Sequence, residues 1–371
     1  MRVPTGRAAL MLCLTFLTLG AAPFSNIFYF GDSLSDTGNI DNLTFGVVPG
    51  SPYAAGRFSN GPVWVDYFAY LNGMSSTAPA AGMLLDLGLF DIEISGDGGN
   101  NYAIGGAKTG YGGSLDAYGA PSGVLWQVEY YLDRSGGVSD ADALYVLFAG
   151  GNDIRDIALA PADQRESAAA TAAVYIAYSA YLLAQSGATE FLILNAPNIG
   201  NTPESLLVRD NAAAATAVTQ AFNSNLGMFM DFLPAFLPGT QFHYLDTYSL
   251  FEWLYEDAVN GGPLTGITNA TQPCFAGYAG SPGADCSVSL FADDLHPTSL
   301  VHLMLAYGAH ALVSSAAPAL TAFSELSPGA APRMDFAGFA ALLAVPEPGS
   351  AGLVGLCLIA AALAPRKRAR R

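Results

Sequence analysis

Short apolar runs bounded by polar and glycine-containing stretches recur along the chain, at Asn26 to Phe30, Leu144 to Phe148, Phe191 to Asn195 and Gln241 to Leu245. Their length and their aromatic and branched side chains are those of strands buried in a sheet. Between them lie longer segments near Arg165 to Gln185 and Asn211 to Phe232 with a helical pattern. This alternation predicts an α/β fold, a parallel sheet covered by helices on both faces. A last helix is expected to start at Thr298 or Ser299, whose hydroxyl can cap it, and to run to about Ser315. The body, residues 23–317, is long enough for one large domain and shows no internal repeat.

The two ends depart from that pattern. Arg2 and Arg7 precede the apolar run Ala8 to Leu19, and Gly20-Ala21-Ala22 follows it. This is the layout of a secretory signal peptide over residues 1–22, cleaved near Ala21 or Ala22. Residues 318–344, rich in Ala and Pro, read as a linker whose few aromatics, Phe323, Phe336 and Phe339, do not make a second domain. In residues 345–371, Val345-Pro346-Glu347-Pro348-Gly349 leads into an apolar run from Ser350 to Ala364 and a basic cluster from Arg366 to Arg371. The run is slightly short for a bilayer span, and the basic cluster is of the kind that holds a C-terminus in the cytoplasm. The segment resembles the PEP-CTERM sorting signal of Gram-negative bacteria. That resemblance implies export across the inner membrane and cutting by an exosortase-type membrane protease near Pro346-Glu347-Pro348; a permanent tail anchor is the alternative.

With both ends set aside, charge and cysteine use become clearer. Of 14 basic and 31 acidic residues, seven and 30 remain between 23 and 345, a balance of −23. Such a surface repels nucleic acid and anionic membranes and favours solubility. Cys13 and Cys357 lie in the end segments, which leaves Cys274 and Cys286 as an even pair, read as a disulfide in an exported chain. It would close a loop seven residues before Asp293, worth roughly 3 kcal/mol in the chain-entropy model. His243, His302 and His310 are scattered, and neither CxxC nor HExxH occurs, so no metal site is expected.

The candidate chemistry lies in four loops. Phe30-Gly31-Asp32-Ser33-Leu34-Ser35 puts Ser33 just past the end of the first strand, where ligands bind in open α/β sheets. A serine hydroxyl attacks a carbonyl only if a base takes its proton, and His296 in Asp293-Asp294-Leu295-His296-Pro297 is the candidate. Asp293, three residues upstream, has the spacing to orient and stabilise that imidazole. The charge developing on the carbonyl oxygen needs fixed donors. The Gly106 N–H in Asn101-Tyr102-Ala103-Ile104-Gly105-Gly106-Ala107 and the Asn152 amide in Gly150-Gly151-Asn152-Asp153 can supply them.

These blocks, in this order, resemble the GDSL esterases and lipases, also called SGNH hydrolases. Asp36-Thr37-Gly38-Asn39 and Gly56-Arg57-Phe58-Ser59-Asn60-Gly61-Pro62-Val63-Trp64 extend the likeness to the long lipase-like branch, over roughly residues 24–317. Ala292 departs from it, since that branch often carries Trp there. The resemblance implies a three-layer α/β/α sandwich of flavodoxin-like type and a serine ester hydrolase acting through an acyl-enzyme. In it Ser33 is the nucleophile, His296 the base and Asp293 its partner, with Ser33, Gly106 and Asn152 forming the oxyanion hole. No cofactor is implied, and lipid or short-chain acyl esters are the implied substrates. Deacetylation of a matrix polysaccharide and a non-catalytic envelope or matrix binding protein are the alternatives. The Gly-x-Ser-x-Gly elbow of other hydrolases is absent. Ten glycines from Gly96 to Gly123 make that stretch mostly loop, expected to be mobile in part and to shape the acyl pocket.

Overall fold

The computed structural model describes residues 24–314 apart from 75–76, 81–82, 87–90 and 95–97. The segments read as a signal peptide (1–22), a linker (318–344) and a sorting signal (345–371) lie outside the described residues.

In chain order the strands are β1 (Ile27–Gly31), β2 (Met83–Asp86), β3 (Asp91–Ile94), β4 (Leu144–Phe148), β5 (Glu190–Leu194) and β6 (Gln241–Leu245). β2 and β3 form an antiparallel pair, and the other four make a parallel sheet in the order β1-β4-β5-β6. Ile27 stands opposite Leu144, Leu144 opposite Glu190 and Glu190 opposite Gln241, so the strands end level along one edge. The helices are α1 (Asn39–Leu43), α2 (Trp64–Leu71), α3 (Val124–Arg134), α4 (Gly151–Ile157), α5 (Ala162–Gln185), α6 (Ala212–Phe236), α7 (Thr247–Val259) and α8 (Ser299–Val313).

Alternation along the strands divides the core in two. Phe30, Tyr145, Leu147, Phe191 and Ile193 pack with α3, α5 and α6 on one face. Ile27, Tyr29, Val146, Phe148 and Leu192 pack with α2, α7 and α8 on the other. Three α/β/α layers result, as the alternating pattern implies. Among the described residues α5 is long and apolar enough to cross a membrane, but Ala169, Ala173, Ile176, Ala180 and Leu183 bury one face of it in the core.

Two details differ from the sequence reading. Asn100 to Ile104, expected as loop, runs beside β1 and bonds to it like a further strand: Tyr29 N donates to Asn100 O, Tyr102 N to Tyr29 O and Ile104 N to Gly31 O. The first turn of α8 is capped from a distance, because the Thr298 hydroxyl donates to Ser289 O while Asn60 Oδ1 accepts from Ser299 N at 2.8 Å. Cys274 and Cys286 are joined in a disulfide as expected.

Candidate active site

Ser33 stands two residues past the end of β1, on a tight turn. Asp32 O accepts from Ser35 N and Asp36 N, and Asp32 Oδ1 accepts from Leu34 N. Gly31 must be glycine, since a Cβ there would lie 2.4 Å from Phe148 O of β4. Buried Gln127 of α3 pins the same residue by accepting from Gly31 N and donating to Gly31 O. The Ser33 loop therefore grows from a backbone fixed on both sides.

His296 Nε2 lies 2.7 Å from Ser33 Oγ, and His296 Nδ1 lies 2.6 Å from Asp293 Oδ2. Asp293 Oδ1 also accepts from the Leu295 and His296 backbone N–H groups, which bends the loop back on itself. With Nδ1–H donated to the carboxylate, Nε2 is left as the acceptor for the serine proton. Burial pushes the Asp293 carboxyl upward, but the neighbouring His296 and the bonds from His296 and Tyr53 outweigh it and hold the group down at about 2. Asp294 does point elsewhere: its Oδ1 is buried without a hydrogen-bond partner among the described residues, and its carbonyl accepts from Glu204 N at 2.7 Å.

The glycine-bearing loop is brought to the serine by Asp36, whose carboxylate accepts from Gly38, Asn39, Ile40 and Gly105 N–H groups. Asn39 Nδ2 donates to Asn101 O and Ala103 O, and Asn101 Nδ2 donates to Ser35 O. Gly106 has φ +79°, and a Cβ there would lie 2.7 Å from Ser114 Cβ, so both conformation and space call for glycine. Among the described residues, neither the Ser33 nor the Gly106 N–H has a hydrogen-bond partner. Asn152, at the start of α4, donates one amide hydrogen to Ala107 O at 2.9 Å. Asp153 accepts from Thr109 N and its hydroxyl, tying the two donor loops together.

The Gly56 to Trp64 block grips the histidine loop from outside. Phe58 lies against the His296 ring at 5.0 Å, Ser59 Oγ donates to Pro297 O, and Trp64 Nε1 donates to Ser35 Oγ. At the position of the Ala292 departure, the buried alanine packs with Phe275 and Cys274, and Tyr53 and Tyr278 flank that cluster.

An apolar pocket of about 40 Å³ opens beside Ser33, His296 and Asn152, walled by Ile199, Phe251, Tyr255 and Phe291. No residue from 98 to 123 lines it, contrary to the expectation for the glycine-rich stretch. Those glycines serve close backbone packing instead: Lys108 N bonds to Gly112 O, and Ser122 N and Gly123 N both bond to Tyr111 O. Burial pushes the Asp32 carboxyl, at the pocket wall, up to about 7. Among the described residues no cluster of His, Cys, Asp and Glu suits a metal ion.

Sequence reasoning missed Tyr53, whose hydroxyl donates to Asp293 Oδ2 at 2.5 Å from 240 residues away. The carboxylate thus accepts four hydrogen bonds. Asp293 has a folded pKa below its unfolded value, so its contribution to stability is present above about pH 4 and lost as pH falls through about 2. Tyr53→Phe is expected to cost about 1.5–3 kcal/mol at pH 7, as removal of a bond to a charged acceptor does. The deficit should shrink as Asp293 takes up its proton. Urea unfolding at pH 7 and near pH 2 checks this; a deficit equal at both would count against it.

Residues 27–308 match the GDSL-like lipase/acylhydrolase family. A phosphatidylcholine-sterol acyltransferase of Aeromonas hydrophila is 25% identical over 350 residues, covering 82% of this chain and 96% of that protein. A GDSL esterase/lipase of Arabidopsis thaliana is 27% identical, covering 77% of this chain and 88% of its own length. Among solved structures, a lipolytic G-D-S-L protein of Veillonella parvula aligns with TM-score 0.40 at 15% identity, over 78% of this chain and 99% of that one.

Proposed function

The chain belongs to the GDSL-like lipase/acylhydrolase family and is an ester hydrolase, and we propose that it acts as an exported serine enzyme on short-chain acyl esters. The hydrogen-bonded series from Ser33 through His296 to Asp293 carries the reading. Ser33 Oγ attacks the ester carbonyl while its proton passes to His296 Nε2, and Asp293 stabilises the imidazolium. The tetrahedral oxyanion is held by the Ser33 and Gly106 N–H groups and the second amide hydrogen of Asn152. Collapse expels the alcohol, which takes the proton from His296. Water then attacks the acyl-enzyme with His296 as base, releasing the acid and free Ser33.

The pocket supports a short acyl group, because about 40 Å³ is far below the roughly 300–1,000 Å³ of sites that enclose drug-sized ligands. Its walls are apolar, which suits an alkyl group. Export rests on the basic-apolar-small order of residues 1–22 and the pairing of Cys274 with Cys286. Processing of residues 345–371 by an exosortase-type protease, with a transient membrane anchor before the cut, completes the proposed course of export.

Hydrolysis of p-nitrophenyl esters from acetyl to palmitoyl tests the function. The expected kcat/KM is greatest at acetyl to butyryl and falls at longer chains. A profile rising toward palmitoyl would replace the short-acyl reading with a lipase, and no turnover by folded protein would favour a binding protein.

A further inference from the structure

Asn152 can serve an oxyanion only if its amide is turned with nitrogen toward the serine and held there. Its Oδ1 accepts from Arg155 Nη1 at 3.1 Å, one turn along α4. A guanidinium has donors alone, so this contact fixes which end of the amide is oxygen. With Ala107 O taking one hydrogen of Nδ2, the other remains free to donate. Arg155 is itself held by a two-pronged pair with Glu204, Nε to Oε2 and Nη2 to Oε1, both at 2.6 Å. Arg209 adds a second cation, Nη2 to Glu204 Oε1 at 2.9 Å, and its Nη1 donates to Arg155 O. Glu204 N donates to Asp294 O, so the same residue is fastened to the loop that carries Asp293 and His296.

We propose that Arg155, clamped by Glu204, is a positioning residue for catalysis: it aims the Asn152 amide at the oxyanion and ties that donor to the acid-base loop. The inference rests on the serine reading above. Beyond orientation, a cation bonded to Oδ1 polarises the amide and strengthens the hydrogen that Nδ2 offers. The effect belongs to the transition state, where the oxyanion forms, and not to ground-state binding. Lysine lacks the fork that reaches both carboxylate oxygens and the amide together.

A double-mutant cycle on the exported protein, assayed with p-nitrophenyl acetate, tests this. Arg155→Met should lower kcat by about 10- to 100-fold, no more than the loss of a whole oxyanion donor, with KM within about twofold. In an Asn152→Ala background the same change should lower kcat by less than about threefold, since the group being aimed is gone. Arg155→Lys should recover only part of the loss. Equal losses in both backgrounds, or a change in KM alone, would overturn the proposal. If Arg155→Met does not fold, Glu204→Gln taken through the same cycle gives the decision. Ser33→Ala run alongside separates the two failures: activity surviving there removes the serine reading and this inference with it. An inactive Ser33→Ala with an additive cycle removes only the role of Arg155.

Discussion

Ser33→Ala is expected to lower kcat for p-nitrophenyl acetate by about 10⁴-fold or more, with the melting curve preserved. In the proposed mechanism the hydroxyl oxygen is the atom that bonds to the carbonyl carbon, and Ser33 Oγ is the hydroxyl placed against His296 Nε2. Its removal leaves a small cavity on a turn whose geometry is set by Asp32, Gly31 and Gln127 and does not depend on the Ser33 side chain. Residual hydrolysis, about 10³–10⁴ above water alone, is expected from the donors and pocket, which can still hold an ester for attack by water. KM should change little, because the loss falls on bond formation. Activity within tenfold of the parent would show that ester cleavage runs elsewhere.

Asp293→Asn is expected to cost about 10⁴-fold in kcat, the scale seen when a triad carboxylate becomes an amide. The reason lies in the tautomer. Asp293 Oδ2 accepts from His296 Nδ1 and so leaves Nε2 bare toward Ser33. An asparagine that turned its NH2 to Nδ1 would place the proton on Nε2, where it faces the serine hydroxyl and cannot receive its hydrogen. Turning the amide the other way sets NH2 against the Leu295 and His296 N–H groups. Either orientation loses an acceptor that the native loop uses, so a drop in stability should accompany the loss of rate. Steady-state kinetics with parallel urea unfolding checks both, and a fall in rate of less than tenfold would argue against Asp293 as the orienting acid.

The sheet and the candidate triad were legible because their signals are local. Five-residue apolar runs mark β4 and β6 at their observed bounds and β1 and β5 within one residue. Ser33, Asp293 and His296 each sit in a short motif whose spacing carries its meaning. What escaped is what depends on chain closure. Nothing near Tyr53 in sequence signals a carboxylate 240 positions away, and Arg155 meets Glu204 across 49 residues. Asn100 to Ile104 lies in the glycine-rich stretch that reads as loop, yet it takes a strand-like place beside β1, where the Asn100 and Asn101 side chains donate to Ile27 O and Ser35 O. The Thr298 hydroxyl is a reasonable cap by type. It was drawn away to Ser289 O, and Asn60 from the Gly56 to Trp64 block took the role. The glycines before Gly123 announced a loop correctly, but glycine content alone does not say whether that loop lines the pocket or packs backbone against backbone.

The most direct measurement is intact mass and peptide mapping after treatment with a fluorophosphonate. One adduct per chain, on the peptide containing Ser33 and absent from Ser33→Ala, is the result the account predicts, since phosphonylation requires a serine activated by its base and an oxyanion site to receive the charge. Folded protein that takes up no adduct, or takes it up at another residue, would contradict the assignment of Ser33, His296 and Asp293 as a working triad.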